Sequence, residues 1–167
     1  MGSEMCIRDS PGPAAPIPTL SLLVFHDLSL SLPGRWLFCG MRVVIQRASR
    51  AEVRIAGDVV GRIQQGFCVL VGIEDADTAE DADWLAAKIA KLRVFNDAEG
   101  KMNADLSEVD GRLLVVSQFT LHAKTKKGTR PSFIRAAKPD HAVPLYEHFV
   151  EACERETGTS VATGEFG

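Results

Sequence analysis

Residues 113–121 read Leu113-Leu114-Val115-Val116-Ser117-Gln118-Phe119-Thr120-Leu121, an apolar run that passes directly into a small polar segment. The apolar half is typical of a buried strand, and we predict that this strand ends within Ser117–Thr120. Polar groups at the end of a buried strand usually serve a ligand, because a packed core would stay apolar there. This segment is therefore the first candidate for a binding site.

The chain that follows is strongly basic. Between residues 124 and 138 it carries six Lys or Arg side chains and no acidic residue, although the whole chain has a formal net charge of -3. This contrast predicts a local site for an anion, with phosphate as the best candidate. The small net charge excludes a protein that coats nucleic acid over its whole surface.

A solvated Lys-rich loop is the competing interpretation of this segment. Arg130-Pro131-Ser132-Phe133 favours binding, since Arg donates a fork of hydrogen bonds to phosphate and Phe offers a face on which a base can stack. The candidate binding residues are Lys124, Lys126, Lys127, Arg130, Pro131, Ser132 and Phe133.

Length and composition indicate one globular domain. The chain has 167 residues, of which 46% are hydrophobic, enough for a core. Its four cysteines are far apart and form no CxxC pair, which argues against a zinc site and a disulfide framework and favours a reducing cytoplasm. The four histidines are scattered, and we predict no metal site.

Residues 1–40 differ from the rest of the chain, being rich in Pro, Ser and Leu without a consistent period. Their apolar stretch at 20–32 carries a charge and is shorter than the roughly 20 apolar residues of a membrane span. We predict that residues 1–40 are a leader, disordered or non-native, and that Met41 is the natural start. The folded domain is then 41–167.

Hydrophobic periodicity from Met41 onwards predicts an α+β fold. A first helix begins at Thr78 with an apolar stripe that continues to Phe95, and a second begins at Pro139 and ends at Gly158. A last strand begins at Ser160. The other predicted strands are Val43–Ile45, Ala51–Ile55, Val59–Ile63 and the central Phe67–Ile73. We expect largely antiparallel sheets that form a barrel-like core with two or more covering helices.

Two kinds of chemistry fit the polar segment. If the strand continues, Thr120 and His122 lie on one face as a nucleophile and its base, which would make an acyl hydrolase. Alternatively, the backbone amides of Gln118, Phe119 and Thr120 donate to a developing oxyanion, which asks little of the side chains. The second arrangement fits the sequence better, because hydroxyl groups at strand ends more often bond backbone.

Several motifs together resemble the D-aminoacyl-tRNA deacylase family, over residues 41–167. They occur in order and at compatible spacings, which makes the resemblance far more specific than any one of them. The motifs are Met41-Arg42-Val43-Val44-Ile45-Gln46-Arg47, Lys101-Met102-Asn103, Ser117-Gln118-Phe119-Thr120-Leu121, Arg130-Pro131-Ser132-Phe133 and Thr163-Gly164-Glu165-Phe166-Gly167.

The resemblance implies a cytoplasmic homodimer that edits aminoacyl-tRNA without a cofactor or a metal, away from membranes. Such an enzyme hydrolyses the ester that joins a D-amino acid, or glycine mischarged on alanine tRNA, to the terminal ribose. The terminal 2'-hydroxyl of the tRNA helps to activate the attack. The resemblance places Ser117, Gln118, Phe119 and Thr120 in the catalytic pocket. Besides the residues of the basic segment, it implies that Met102, Gly164 and Phe166 contact the substrate or the tRNA.

One departure from the family concerns chiral selection. Members continue with a further strand and a Gly-Pro pair whose cis peptide enters the partner's pocket and excludes L-amino acids. Gly12-Pro13 lies in the unmatched leader and is not assigned that role. We therefore expect 41–167 to be truncated at its C-terminus, with weakened folding and selectivity. A non-catalytic RNA-binding module is a further alternative for such a chain.

Overall fold

The computed structural model describes residues 40–126 and 129–166, together with the backbone of four short strands within residues 4–36. Two α-helices, α1 (Ala79–Ala90) and α2 (Pro139–Thr157), and one 3-10 helix, Phe119–His122, occur in the described part. The strands in chain order are β1 (Glu4–Cys6), β2 (Leu22–Phe25), β3 (Ser31–Leu32), β4 (Arg35–Trp36), β5 (Arg42–Ala48), β6 (Ala51–Ile55), β7 (Asp58–Ile63), β8 (Gly66–Gly72), β9 (Phe95–Asn96), β10 (Met102–Ala104), β11 (Arg112–Ser117) and β12 (Ala162–Thr163).

The main sheet has five strands in the order β12-β11-β8-β5-β2. β5 runs antiparallel to β8, whereas β11 runs parallel to both β8 and β12. Six of the eight strand pairings in the described residues are antiparallel, as expected for largely antiparallel sheets, and the two parallel pairings both involve β11. The reason is the connection, because the chain between β8 and β11 includes α1 and is long enough for a crossover between parallel strands.

The central strand β8 is buried on both faces. Phe67, Val69 and Val71 point to the face that the two helices cover, where they join the larger cluster of buried side chains. Cys68 points to the other face, which the β6–β7 hairpin covers. A continuous apolar run is what a strand covered on both sides requires, so the predicted central strand is confirmed.

The helix boundaries follow the capping signals. The Thr78 N–H donates to Asp81 Oδ2 at 2.9 Å, and α1 begins at the next residue. Gly158 has a φ of 66° and ends α2 in the left-handed conformation that glycine adopts without strain. The apolar stripe is predicted to continue to Phe95, but the helix ends at Ala90, before the stripe does.

Phe95 is nevertheless buried, because it lies in β9 and its ring stacks on that of Phe67 with centroids 4.8 Å apart. The α+β class and the two covering helices are confirmed. The described strands do not close into a barrel; the β6–β7 hairpin packs as a separate layer on the sheet.

We predict that Phe67→Ala lowers the free energy of unfolding by about 3–5 kcal/mol, the usual cost of removing a buried ring. Phe67 is 0% exposed and lies in the central strand, so removal of its ring leaves a cavity in the core. Urea denaturation measures the change. Val60→Ala, at a side chain that is 42% exposed, is the control and should change stability by no more than about 0.5 kcal/mol. A loss below about 1 kcal/mol for Phe67→Ala would contradict this account of the core.

Candidate active site

The strand predicted to end within Ser117–Thr120 ends at the first of these residues. β11 ends at Ser117, the Gln118 N–H donates to the Val71 carbonyl at 2.7 Å, and the chain then turns into the 3-10 helix. The missing side chain of Gly72 makes room for this turn, since a Cβ there would lie 2.9 Å from the Cβ of Leu121. The prediction that the strand ends within Ser117–Thr120 is therefore confirmed, and the alternative in which it continues to His122 is wrong.

The turn leaves two backbone amides without a backbone acceptor in the described part of the chain. These are the N–H groups of Phe119 and Thr120, the first residues of the 3-10 helix, which have no acceptor in the preceding turn. The next N–H, that of Leu121, donates to the Gln118 carbonyl at 3.2 Å. The Gln118 amide is already bonded to β8, so the oxyanion donors predicted from sequence reduce from three to two.

Thr120 and His122 do not form a nucleophile and base. A 3-10 helix has three residues per turn, so residues two apart point in different directions. His122 is 1% exposed, and neither ring nitrogen has a hydrogen-bond partner among the described residues. The Thr120 hydroxyl oxygen instead accepts a hydrogen bond from the Gln118 side-chain amide. The prediction that places Thr120 and His122 on one strand face is therefore wrong.

The surroundings of His122 favour its neutral form. Burial is the main cause that lowers its pKa, and the positive charges of Arg42 and Arg135 add to the effect. The backbone of Gly72 and the carboxylate of Glu74 oppose it. The ring nitrogen Nδ1 lies 3.8 Å from Glu74 Oε2, too far for a hydrogen bond. A neutral ring fits a packing role for this buried residue of the 3-10 helix.

Arg42 of β5 fixes the end of the 3-10 helix. Its Nη1 donates to the Leu121 carbonyl at 2.9 Å across 79 residues of sequence. Arg42 is absent from the candidate site residues predicted from sequence and occurs there only as part of a family motif. Its signal is weak, since it is one of two arginines in β5, and the contact becomes evident only when β5 and the turn are brought together.

The basic segment folds back onto the turn. Backbone hydrogen bonds of 2.8 and 3.0 Å join Lys124 and Ser132 as an antiparallel bridge. The Phe133 ring then meets the Phe119 ring edge-on, with centroids 5.3 Å apart. Both rings remain partly exposed, at 37% and 52%. The structure therefore brings an aromatic surface next to the two open amides.

Four cations of this segment stay exposed without an ion pair among the described residues: Lys124, Lys126, Arg130 and Lys138. Pro131 and Ser132 lie in the same exposed loop, whereas Lys127 falls outside the described residues. Arg135 differs, because its Nη2 lies 2.7 Å from a carboxylate oxygen of Glu74.

The remaining predicted contacts fall at two ends of the sheet. Gly164 and Phe166 follow β12, which runs beside β11 towards the site, and the Phe166 ring lies 5.8 Å from that of Tyr146. Met102 lies in β10, paired with β9, whose Phe95 packs at the start of β8. Within one chain Met102 is thus far from Phe119, and its role stays a prediction from the resemblance.

Neither a membrane helix nor a metal cluster is found in the described ranges. No helix there is long and apolar enough to cross a bilayer. No group of three or more His, Cys, Asp or Glu side chains there is arranged to hold a metal ion.

Comparisons with known proteins agree with one another. The family model described as D-Tyr-tRNA(Tyr) deacylase matches residues 44–167. A D-aminoacyl-tRNA deacylase of Phocaeicola vulgatus is 60% identical over 127 residues, which cover 76% of this chain and 85% of that protein. A protein of the same name from Flavobacterium johnsoniae is 58% identical over the same shares of the two chains.

Two solved structures share the fold. The c-Myc DNA Unwinding Element Binding Protein has a TM-score of 0.69 and 34% identity, covering 75% of this chain and 85% of that one. A probable eukaryotic D-amino acid tRNA deacylase has a TM-score of 0.61 and 22% identity, covering 71% and 69%, and this likeness concerns the fold alone.

We predict that Asp77 makes stability fall as pH rises from about 4 to about 6. Asp77 is 2% exposed, its Oδ2 accepts the Glu74 N–H at 2.7 Å, and its Oδ1 has no partner in the described part. Burial raises its pKa from 3.8 to about 6, with the Glu74 charge adding to the effect. The folded state therefore keeps a proton that the unfolded state loses in this range, and the decline amounts to about 2–3 kcal/mol.

Urea unfolding of the wild-type protein and of Asp77→Asn at pH 4 and pH 7 isolates this contribution. The variant should lack the decline, and the exposed Asp75→Asn should keep it. Equal pH dependence in the wild-type protein and Asp77→Asn would show that Asp77 does not titrate in this range.

Proposed function

The chain belongs to the D-Tyr-tRNA(Tyr) deacylase family, and on that premise we propose that its backbone amides at Phe119 and Thr120 catalyse the editing reaction. The protein is a hydrolase of the D-aminoacyl-tRNA deacylase kind. Its reaction cleaves the ester of D-aminoacyl-tRNA and releases the free amino acid and the tRNA.

One observation carries the proposed mechanism: two adjacent N–H groups stand open at the end of β11, and no nucleophile–base pair accompanies them in the described residues. When water adds to the ester carbonyl, the carbonyl oxygen gains negative charge. Donors that are already fixed in position stabilise this charge without reorganisation. The bond between the carbonyl carbon and the ribose oxygen then breaks, and the amino acid is released with its carboxylate. A proton from the attacking water passes to the ribose oxygen, so the tRNA leaves with its hydroxyl group restored.

The tRNA supplies part of the machinery in this proposal. The 2'-hydroxyl of the terminal adenosine lies next to the ester on the same ribose and helps to activate the attack. Ser117 and the Gln118 side chain line the pocket, and Thr120 positions rather than attacks. Gln118 supports this role of Thr120, because it already donates to the hydroxyl oxygen that would otherwise serve as nucleophile.

The exposed cations of the basic segment are proposed to bind the tRNA backbone. Lys124, Lys126 and Arg130 have no carboxylate partner among the described residues, so their charge is available to phosphate. Phe133 is proposed to stack on a base of the tRNA end, since its ring is partly exposed beside Phe119. Lys127, Pro131 and Ser132 complete this proposed surface.

Further parts of the proposal come from the family resemblance. They are action on glycyl-tRNA(Ala), assembly as a homodimer and a cytoplasmic location. We also propose that residues 41–167 carry the function, which is supported by a family match that begins at residue 44. Residues 1–40 are then a leader that the function does not require, although the backbone of β2 pairs with β5 at the edge of the main sheet.

We predict that the protein accelerates the loss of D-tyrosine from D-tyrosyl-tRNA well above spontaneous hydrolysis. The reason is that the ester is an activated substrate, so positioning of water and two oxyanion donors suffices. Release of labelled D-tyrosine measures the rate, with an incubation without protein as the control. Binding of the tRNA in a gel-shift experiment without any loss of ester would instead support a non-catalytic RNA-binding module.

We predict that Thr120→Ala keeps at least about a tenth of the wild-type rate. In contrast, a substrate with a 2'-deoxy terminal adenosine should be hydrolysed at about a hundredth of the normal rate or below. The variant retains the amide donors, while the altered tRNA lacks the hydroxyl group that assists the attack. Single-turnover rates measure both effects. An inactive Thr120→Ala would favour a Thr120 nucleophile, and an undiminished rate with the deoxy substrate would exclude help from the tRNA.

A further inference from the structure

We propose that Glu74 and Arg135 are positioning residues for the 3-10 helix and its two open amides. The inference rests on the proposed function, to which it adds two residues that touch neither the ester nor the amides. Arg135 belongs by sequence to the basic segment, and the structure gives it a different role from that of its neighbours.

Glu74 lies where three parts of the site meet. It follows β8 by two residues, it is 8% exposed, and its carboxylate oxygens lie 2.7 and 2.9 Å from Arg135 Nη2. Its Oε2 is also 3.8 Å from the buried ring of His122, which belongs to the 3-10 helix. One carboxylate thus contacts the basic segment and borders the helix that carries the open amides.

Backbone contacts extend this arrangement to the aromatic pair. Glu74 forms an antiparallel bridge with Ala136, and the Ala137 N–H donates to the Ile73 carbonyl at 2.9 Å. The Ala136 N–H donates to the Phe133 carbonyl at 2.9 Å, so Arg135 lies within the turn that begins at Phe133. The Phe133 ring in turn packs on Phe119. Holding Arg135 therefore holds Phe133 against the residue that offers the first amide.

Charge distinguishes Arg135 from a tRNA contact. A buried carboxylate needs a cation more than an exposed one does, and Arg135 supplies it. The exposed Lys124, Lys126 and Arg130 carry no such partner in the described residues. The charge of Arg135 is thus used within the protein, and its removal should disturb the geometry of the site more than the attraction for tRNA.

The test compares Arg135→Met, Arg135→Lys and the double variant Glu74→Gln/Arg135→Met for kcat and KM on D-tyrosyl-tRNA. We expect Arg135→Met to lower kcat about tenfold with KM changed by less than about twofold, because misplaced donors act on the chemical step. Arg135→Lys should recover most of the rate. The double variant removes the unpaired buried charge, so it should regain stability in urea while its kcat stays low.

Arg155→Met is the matched control. Arg155 pairs with Asp83 at 2.8 Å on the exposed side of the helices, away from the site, and its loss should leave kcat and KM unchanged. A salt-dependent rise in KM with an unchanged kcat for Arg135→Met would make Arg135 a tRNA contact and overturn the proposal. Recovery of kcat in the double variant would reduce the pair to a purely structural role and overturn it as well.

Hydrogen exchange separates this proposal from the proposed function. In Arg135→Met we expect faster amide exchange in residues 119–123 than in the wild-type protein, with exchange in β8 unchanged. This measurement needs no substrate, so it applies even if D-tyrosyl-tRNA is not hydrolysed. Unchanged exchange in residues 119–123 would overturn the positioning role and leave the deacylase function untouched.

Discussion

The parallel pairing of β11 with β8 stops at Ser117 and Val71, and the site depends on this limit. Up to that point, β11 pairs with β8 residue by residue. Beyond it, Gly72 leaves space for a tight turn, and the N–H groups of Phe119 and Thr120 in this turn have no backbone acceptor in the described residues. In a strand that continued by two residues, these successive N–H groups would point to opposite edges of the strand, and the polar segment would become ordinary sheet.

The surrounding residues hold this turn from several directions. Arg42 of β5 donates a hydrogen bond to the Leu121 carbonyl, and His122, the last residue of the 3-10 helix, is buried. Glu74 and Arg135 attach the basic segment from the far side. The cations nearest to solvent are left without partners in the described ranges, which suits them to a polyanion. Under the proposed function, structural charge and tRNA-binding charge are thus carried by different residues of one sequence segment.

The sequence predicted those features that depend on nearby residues. The continuous apolar run of β8, Thr78 at the start of α1 and Gly158 at the end of α2 are local signals, and each of them is confirmed. The parallel order of β11, the exact residue at which that strand ends and the occupied amide of Gln118 depend on contacts between distant segments. Such contacts have no signature in a window of a few residues, so periodicity placed the strand end only within Ser117–Thr120. The family motifs pointed to the correct segment without revealing its backbone geometry.

The placement of the open donors in the main chain bears on how this site tolerates genetic change. Every residue except proline carries a backbone N–H, so most substitutions at Phe119 or Thr120 would alter the shape of the pocket while leaving both donors in place. The side chains at these positions contact Phe133 and Gln118, so such substitutions act on the pocket through these contacts rather than by removing a donor. Substitutions can thus change which substrates are accepted while the two backbone donors are kept.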